Sequence, residues 1–404
     1  MRVVLAPYGT LGDVRPLLAL AIGLKRAGHE VLLCAPPETK SLAEEYNCPF
    51  RPLGSNFQNA AQEVPEPAMH RVRASVWVTR FLRQELQRQL SELPALVQGA
   101  DVVIASSLNL AAHTVSEIEG CRYRFSAFAP QILPSRYHPS FFNRSHTLPH
   151  WYNRLTWNFS DLLWNQGVKP ILNGYRKQFG LQPIENVVRH WLGDDLIIAC
   201  DSILAPVPPD VGFRFVQTGY LHLPLKEQMS AALEDFIASG DPPVYIGFGS
   251  MINEHPQRTT EIILQAARRA GRRVVLSRGW GNLGEGYASA DCFIADDAPH
   301  GFLFPRMCAV VHHGGSGTTA TAARAGVPQV IVPHLADQFY WAHRIRTLGL
   351  GPEPIGRHEL TVERLSSAIR RCADNEFRQR AQEIALLLQK QNPMAEALRA
   401  LESY

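Results

Sequence analysis

Lysine is scarce in this 404-residue chain, with six copies (25, 40, 169, 177, 226 and 390) among 40 basic residues, the rest being arginine. The 37 acidic residues nearly match the basic ones, leaving a net charge of +3. So balanced a chain is not the basic surface a nucleic-acid partner calls for, and the arginine excess fits codon usage in a GC-rich genome. The seven cysteines (34, 48, 121, 200, 292, 308 and 372) form no CxxC pair and no Cys/His group of metal spacing, so a disulfide scaffold or zinc module is not expected. No window approaches 18 uncharged apolar residues, and the apolar run before Pro7 is too short for a secretion signal. The expected location is therefore cytoplasmic. The first glycine loop, Gly9–Gly12, is not GxGxxG, and no Asp-x-Asp triplet occurs, which argues against the usual dinucleotide fingerprint after the first strand and a common metal-carrying pair. Glycine and proline, 29 each, show no period, and 46% hydrophobic content is too high for a disordered chain.

Short apolar runs alternate with helical patterns. Residues 3–6, 29–34 and 101–105 read as buried strands, with helices over 14–27, ended by Gly28, and 72–97 between them. The pattern restarts with strands at 243–247, 273–277, 309–312 and 329–332 and helices at 259–270 and 316–325. Continuous apolar strands alternating with helices predict parallel sheets covered on both faces. The fold class is α/β, as two doubly wound, Rossmann-like domains facing each other across a cleft. Residues 1–220 form the first domain, 221–241 a Pro/Gly-containing linker, 242–392 the second domain, and 393–404 a helix returning to the first.

The strongest local signal is His312-His313-Gly314-Gly315-Ser316-Gly317-Thr318-Thr319, after a predicted strand and opening a predicted helix. A glycine turn at a helix start aims several free N–H groups at one point, and the helix dipole adds positive charge; a phosphate fits there. A tight turn capped by Ser316 is the plainer alternative. The first loop, Gly9-Thr10-Leu11-Gly12-Asp13-Val14-Arg15-Pro16, is related in kind, with Asp13 at the junction of loop and helix, where an N-cap is the plain role. Residues 137–164 gather eight large aromatics, among them Trp151 and Trp157, which read either as helix faces on a core or as the wall of an apolar ligand site.

Gly-Thr-x-Gly-Asp-Val-x-Pro near the start, Pro299-His300 with Leu303-Phe304-Pro305-Arg306, the double-histidine glycine turn, and Pro333 with Asp337-Gln338 occur in this order. Together they resemble the nucleotide-sugar-dependent glycosyltransferases of the GT-B fold (glycosyltransferase family 1). By motif the nearest are the sterol 3-β-glucosyltransferases and the antibiotic glycosyltransferases of glycopeptide and macrolide type. Such relatives usually carry Asp-Trp where this chain has Gly301-Phe302. The resemblance implies a donor site in the second domain: His312 on the diphosphate, amides and hydroxyls of Gly315, Ser316, Gly317 and Thr318 beside it, and Ser250 on phosphate. Arg278, Trp280, Ala298 and His300 fall around base and ribose, Asp337 and Gln338 on the sugar hydroxyls, and Thr10 and Gly12 approach from the first domain.

It further implies Asp13 as general base for an acceptor hydroxyl, inversion at the anomeric carbon, no cofactor and no metal. His113 is placed to orient Asp13, with a structural histidine as the alternative; His113, Trp151 and Trp157 are the acceptor candidates. The expected partners are a nucleotide sugar, with UDP-glucose favoured over a dTDP donor, and a lipophilic hydroxylated acceptor such as a sterol, terpenoid or polyketide. The aromatics with nearby arginines would also let the first domain rest on a membrane surface, although no helix there reads as gathering its charges on one face. An epimerase on the same fold and a non-catalytic partner protein remain the alternatives.

Overall fold

The computed structural model describes residues 1–404 except 63–70, 142, 225–227, 297 and 403–404; for 61–62 and 71–76 it describes the backbone alone. The first sheet has seven parallel strands, β1 (Arg2–Tyr8), β2 (Glu30–Ala35), β3 (Phe50–Pro52), β4 (Val102–Ser107), β5 (Arg122–Ala127), β6 (Asp195–Ile198) and β7 (Arg214–Gln217), in the order β3-β2-β1-β4-β5-β6-β7. The second has five, β8 (Val244–Gly247), β9 (Val274–Ser277), β10 (Cys292–Ala295), β11 (Ala309–His312) and β12 (Gln329–Ile331), in the order β10-β9-β8-β11-β12. The order reverses direction between β1 and β4 in one sheet and between β8 and β11 in the other. Ligands of doubly wound sheets bind beyond the strand ends at such a reversal.

Helices cover both faces of the first sheet: α1 (Leu11–Arg26), α2 (Lys40–Glu45), α3 (Phe57–Gln62), α4 (Arg71–Val97), α5 (Ala112–Glu119), α6 (His150–Gly167), α7 (Lys169–Gln178) and α8 (Val187–Leu192). The second carries α9 (Ala231–Ala238), α10 (Pro256–Arg269), α11 (His300–Leu303), α12 (Ser316–Arg324), α13 (Gln338–Thr347), α14 (Val362–Arg371) and α15 (Asn375–Gln389). The last helix, α16 (Pro393–Glu402), buries Ala397 and Leu401 in the cluster that holds Leu17, Leu20 and Leu24 of α1. The stretch read as a linker from its Pro and Gly is half folded. Its α9 sends Leu233 and Ile237 into a core with Tyr245 and Val310, so it is part of the second domain.

α1 starts three residues earlier than its apolar periodicity predicts. Thr10 is the N-cap and Asp13 the third helical residue, and the two close a capping box. The domains also meet away from the chain crossings. Trp341, Ile345 and Leu388 share one apolar cluster with Phe125 and Leu204, and the Arg344 Nε donates to the Leu204 carbonyl at 2.7 Å.

Candidate active site

At the first reversal point, β1 ends in Tyr8 and the chain turns through Gly9 into the cap of α1. A Cβ on Gly9 would collide with the Asp13 carboxylate, so only glycine lets the loop close over it. The Thr10 amide and hydroxyl donate to Asp13 Oδ2 at 2.7 and 3.1 Å, and Ser107 Oγ donates to Oδ1 at 2.5 Å. Ser107 ends β4 with φ +53°, in the left-handed region that non-glycine residues avoid. Burial pushes the Asp13 carboxyl above the usual range, against the Ser107 and Thr10 bonds, which pull it down. The result is a carboxylate held in one orientation with raised basicity, as a general base requires.

At the second reversal point the loops after β8 and β11 lie together. The His312 side chain is fully buried and both ring nitrogens are committed: Nε2 pairs with Gln329 Oε1 at 2.9 Å, and Nδ1 accepts from the Gly314 amide at 3.1 Å. That corrects the expectation that His312 faces a diphosphate. The neighbouring His313 has the required placement. A Cβ built on Gly249 would sit 3.0 Å from its ring, and one on Gly315 2.5 Å, so it lies between the two turns; its Nδ1 has no partner. Burial, helped by His312, His334 and His300, lowers His313 to about 3, so it is neutral at physiological pH. α12 then starts at Ser316 after N-cap Gly315, with no side chain capping its first amides.

Ser316 Oγ donates to Asp337 Oδ2 at 3.1 Å and accepts from Trp341 Nε1 at 2.9 Å. Burial raises Asp337 to about 6, opposed by the Ser316 bond and reinforced by the negative charge of Asp13. The charge of Asp13, from the first domain, is therefore felt at Asp337 in the second. Asp337 follows Ala336, another non-glycine residue at positive φ, +51°. Gln338 is drawn back instead: its Oε1 accepts from the His334 and Leu335 amides at 2.7 and 3.0 Å, and its Nε2 lies on Met251 Sδ. Its side-chain carbonyl is thus spent on the loop, whereas the expected place for it was on the sugar hydroxyls.

A pocket lined by Phe248, Met251, Asn253, Arg278, Gly279 and His334 adjoins these turns. Ser250 and Trp280 flank it, the Trp280 amide donating to the Gly249 carbonyl at 3.0 Å, and Arg278 is held by Asp296 at 2.6 Å. Ala298 is buried beneath, in the core with Phe304. His300 pairs with the Tyr245 hydroxyl at 2.9 Å and stacks on Phe304, so its ring belongs to the domain interior. Tyr220 packs on the first turn of α12: its hydroxyl fills the place a Cβ on Gly317 would take. Thr10 caps α1, Gly12 is exposed on its first turn, and Thr318 is partly exposed on the first turn of α12.

Two acceptor candidates lie elsewhere. His113 stacks between Tyr123 and His190, bonds the His190 carbonyl through Nδ1 at 2.5 Å, and does not orient Asp13; Ser107 does. His113, Glu117 and His190 bring ligand atoms within 4.8 Å of one another, but the Arg176 guanidinium already holds Glu117. Trp157 is buried in α6 with Nε1 donating to the His138 carbonyl at 3.1 Å, so it is core, whereas Trp151 is exposed. A separate run of aromatic rings starts from Tyr8, at the end of β1. Tyr8 meets Phe57 edge-on, Phe57 meets Phe81 edge-on, and Phe81 stacks on Trp77 with centroids 5.4 Å apart.

Comparison with known proteins agrees with this architecture. Residues 3–137 match the glycosyltransferase family 28 N-terminal domain, and residues 289–400 match the erythromycin biosynthesis protein CIII-like C-terminal domain. The chain is 35% identical over 389 residues to the vancomycin aglycone glucosyltransferase of Amycolatopsis orientalis, covering 95% of this chain and 93% of that protein. The chain belongs to the GT-B glycosyltransferases. This glycosyltransferase is also 30% identical to sterol 3-beta-glucosyltransferase UGT80B1 of Arabidopsis thaliana, over the whole chain and 68% of that protein. Among solved structures it superposes on glycosyltransferase VinC in complex with dTDP, with TM-score 0.69, 21% identity and full coverage of both chains. Among the described residues of the glycosyltransferase no helix is long and apolar enough to cross a membrane.

Proposed function

We propose that the enzyme transfers a hexose from a nucleotide diphosphate donor to a hydroxyl of a lipophilic acceptor, with inversion to a β-glycoside. The observation that carries this is the pairing of two reversal points: a braced carboxylate, Asp13, opposite an uncapped glycine helix start with an unpartnered imidazole, His313. In this reading Asp13 takes the proton of the acceptor hydroxyl as its oxygen bonds to the anomeric carbon. The bond from that carbon to the diphosphate oxygen breaks on the opposite face. Charge developing on the leaving phosphate meets the first amides of α12 and the neutral His313, which needs no metal for its neutralisation. Preorganised donors of this kind typically contribute about 3–4 kcal/mol each.

Asp337, beside Ser316, is placed to accept from sugar hydroxyls. The nucleotide would lie along the Gly249 and Gly279 turns. A glucosyl donor is favoured by the likeness to the vancomycin aglycone glucosyltransferase and the sterol glucosyltransferase, with UDP-glucose preferred. The solved relative with dTDP makes a dTDP-hexose the rival donor. The acceptor would lie against Tyr8, Phe57, Phe81 and Trp77, an apolar wall leading to Asp13, which suits a sterol, terpenoid or polyketide hydroxyl.

The test is a thermal-shift panel of UDP- and dTDP-hexoses, followed by product analysis with sterol, triterpenoid and polyketide acceptors. A ligand at 100 times its Kd adds about 2.7 kcal/mol and is readily seen. A β-glycoside formed from the stabilising donor is expected. Stabilisation by no nucleotide sugar, or an α-linked product, would overturn the reading.

A further inference from the structure

α6 is folded inside out for a surface helix. Its inward side carries Asn153 and Ser160 beside Trp157 and Trp164, and the Asn153 amide donates to the Arg136 carbonyl at 2.9 Å. Its outward side carries Trp151, Leu155, Phe159 and Leu162, exposed by 65, 52, 57 and 51%, with Tyr152 and Leu163 beside them at 40 and 42%. At 3.6 residues per turn these six fall within an arc of roughly 120°. Scattered surface leucines need no explanation, but a continuous stripe along one helix does.

The surroundings say what covers it. From residue 136 to 184 the chain has six basic residues and one acid, Asp161, whereas the whole chain is nearly balanced. Arg176 is buried against Glu117 and Arg136 lies beside Asp210 at 4.0 Å, while Arg144, Arg154 and Lys177 are exposed. Asp161 lies on the flank of the stripe, and burial raises its carboxyl above the usual range. A second copy of this chain would set these cations against one another. An apolar arc ending in Trp and Tyr with a cationic margin matches the boundary between acyl chains and anionic headgroups.

We infer that the outward face of α6 docks the first domain on an anionic lipid bilayer, with Trp151, Leu155, Phe159 and Leu162 in the acyl boundary and the flanking arginines on headgroups. Lipophilic acceptors concentrate in such a layer, so the contact would place the first domain against their source. This docking rests on α6 and the cations around it, and stands whichever donor the enzyme takes.

The test is flotation of the full-length protein with vesicles of phosphatidylcholine alone or with 30% phosphatidylglycerol. Binding at least tenfold stronger to the anionic vesicles is expected, weakened by 0.5 M NaCl. Leu155→Glu with Phe159→Glu should lower it tenfold or more, while the thermal shift with a nucleotide sugar stays as in the wild type, which checks the fold. Arg154→Glu, which leaves the stripe apolar, should remove the preference for phosphatidylglycerol. Flotation with neither vesicle would overturn the inference, as would unchanged binding by the double variant. So would concentration-dependent dimers that the double variant abolishes, or an effect of that variant confined to acceptor KM in the absence of lipid.

Discussion

At the residue scale the site turns on three side chains whose surroundings differ in kind. In the proposed mechanism Asp13 is a capping-box residue and the base at once: its capping bonds and Ser107 fix the orientation that proton transfer needs. Asp13→Asn keeps the shape and removes the basicity, so turnover should fall about 10²–10⁴-fold, the usual range for losing a general base, with donor Kd nearly unchanged. Turnover within threefold of the wild type would leave Asp13 a cap only. Ser107→Ala separates positioning from chemistry. Because the Ser107 bond lowers the Asp13 pKa, its loss should move the acid limb of the kcat–pH profile to higher pH. An unshifted limb would detach Ser107 from the base.

The paired histidines show where the sequence stops being legible. Two adjacent histidines before a glycine turn announce a phosphate site, but they do not say which ring faces it. His312 is the last residue of a strand buried on both faces, and its ring is spent on Gln329 and the Gly314 amide. His313 is the first residue outside the ladder, free to turn into the cleft. His313→Ala should therefore weaken donor binding about tenfold or more with little change in Tm, the loss expected for one hydrogen bond to a charged group. His312→Ala should lower Tm instead, by stranding the Gln329 side chain in the core. Equal effects on donor Kd, measured by calorimetry, would undo the distinction.

Asp337 adds a pH dependence with a definite sign. Its folded pKa of about 6 lies above the ordinary value of 3.8. The stability it contributes is therefore present below pH 4 and lost as pH rises through 6. Near neutrality the buried charge costs stability. Asp337→Asn should raise the Tm of the free enzyme at pH 7.5, by about 2–4 °C if 1 kcal/mol is recovered, and the gain should shrink on going to pH 5. The same variant should lose donor affinity. A Tm difference constant over that interval would remove Asp337 as its source.

At the scale of elements, most strands and the helices flanking them were legible, because a parallel strand buried on both faces must be continuously apolar. β11 falls where its apolar run predicts, and the start of α12 follows from the glycine turn. What misled was α6. Aromatics on a helix are expected inside, with polar residues outside, whereas here Asn153 and Ser160 point in and Leu155 and Phe159 point out. The sequence registered an aromatic cluster over 137–164 but not its orientation, so Trp157 stood open between core and acceptor wall; its indole bonds the His138 carbonyl in the core. The run of rings that starts at Tyr8 comes from three separated segments, at residues 8, 57 and 77–81. Only the tertiary fold brings them together, and no local pattern signals them.

At the scale of the whole molecule, the two halves are held by more than their linker. α16 follows the second domain in sequence but packs on α1 of the first, and α1 carries Asp13 on its first turn. The contact is close at Gly23, where a Cβ would meet the Met394 side chain, and again at Gly219, where it would come within 2.8 Å of Pro393. On the other side the domains share the apolar seam of Trp341 and Ile345 with Phe125 and Leu204. Closure on a donor must therefore pivot between the seam and the crossing helix rather than swing freely, and the distance from Asp13 to the anomeric carbon depends on where α16 sits. Small misplacements of a reacting group reduce rate steeply. Gly23→Val, which adds branching where Met394 lies, should displace α16. It should lower kcat about tenfold or more and lower Tm, while leaving donor Kd within a factor of two, because the proposed donor contacts come from the second domain. Scattering of the wild type should show a smaller radius of gyration with nucleotide sugar than without, and the variant should show less of that change. If Gly23→Val loses Tm but keeps the wild-type kcat and the wild-type compaction, α16 is only a staple and the geometry of the cleft is set by the seam alone.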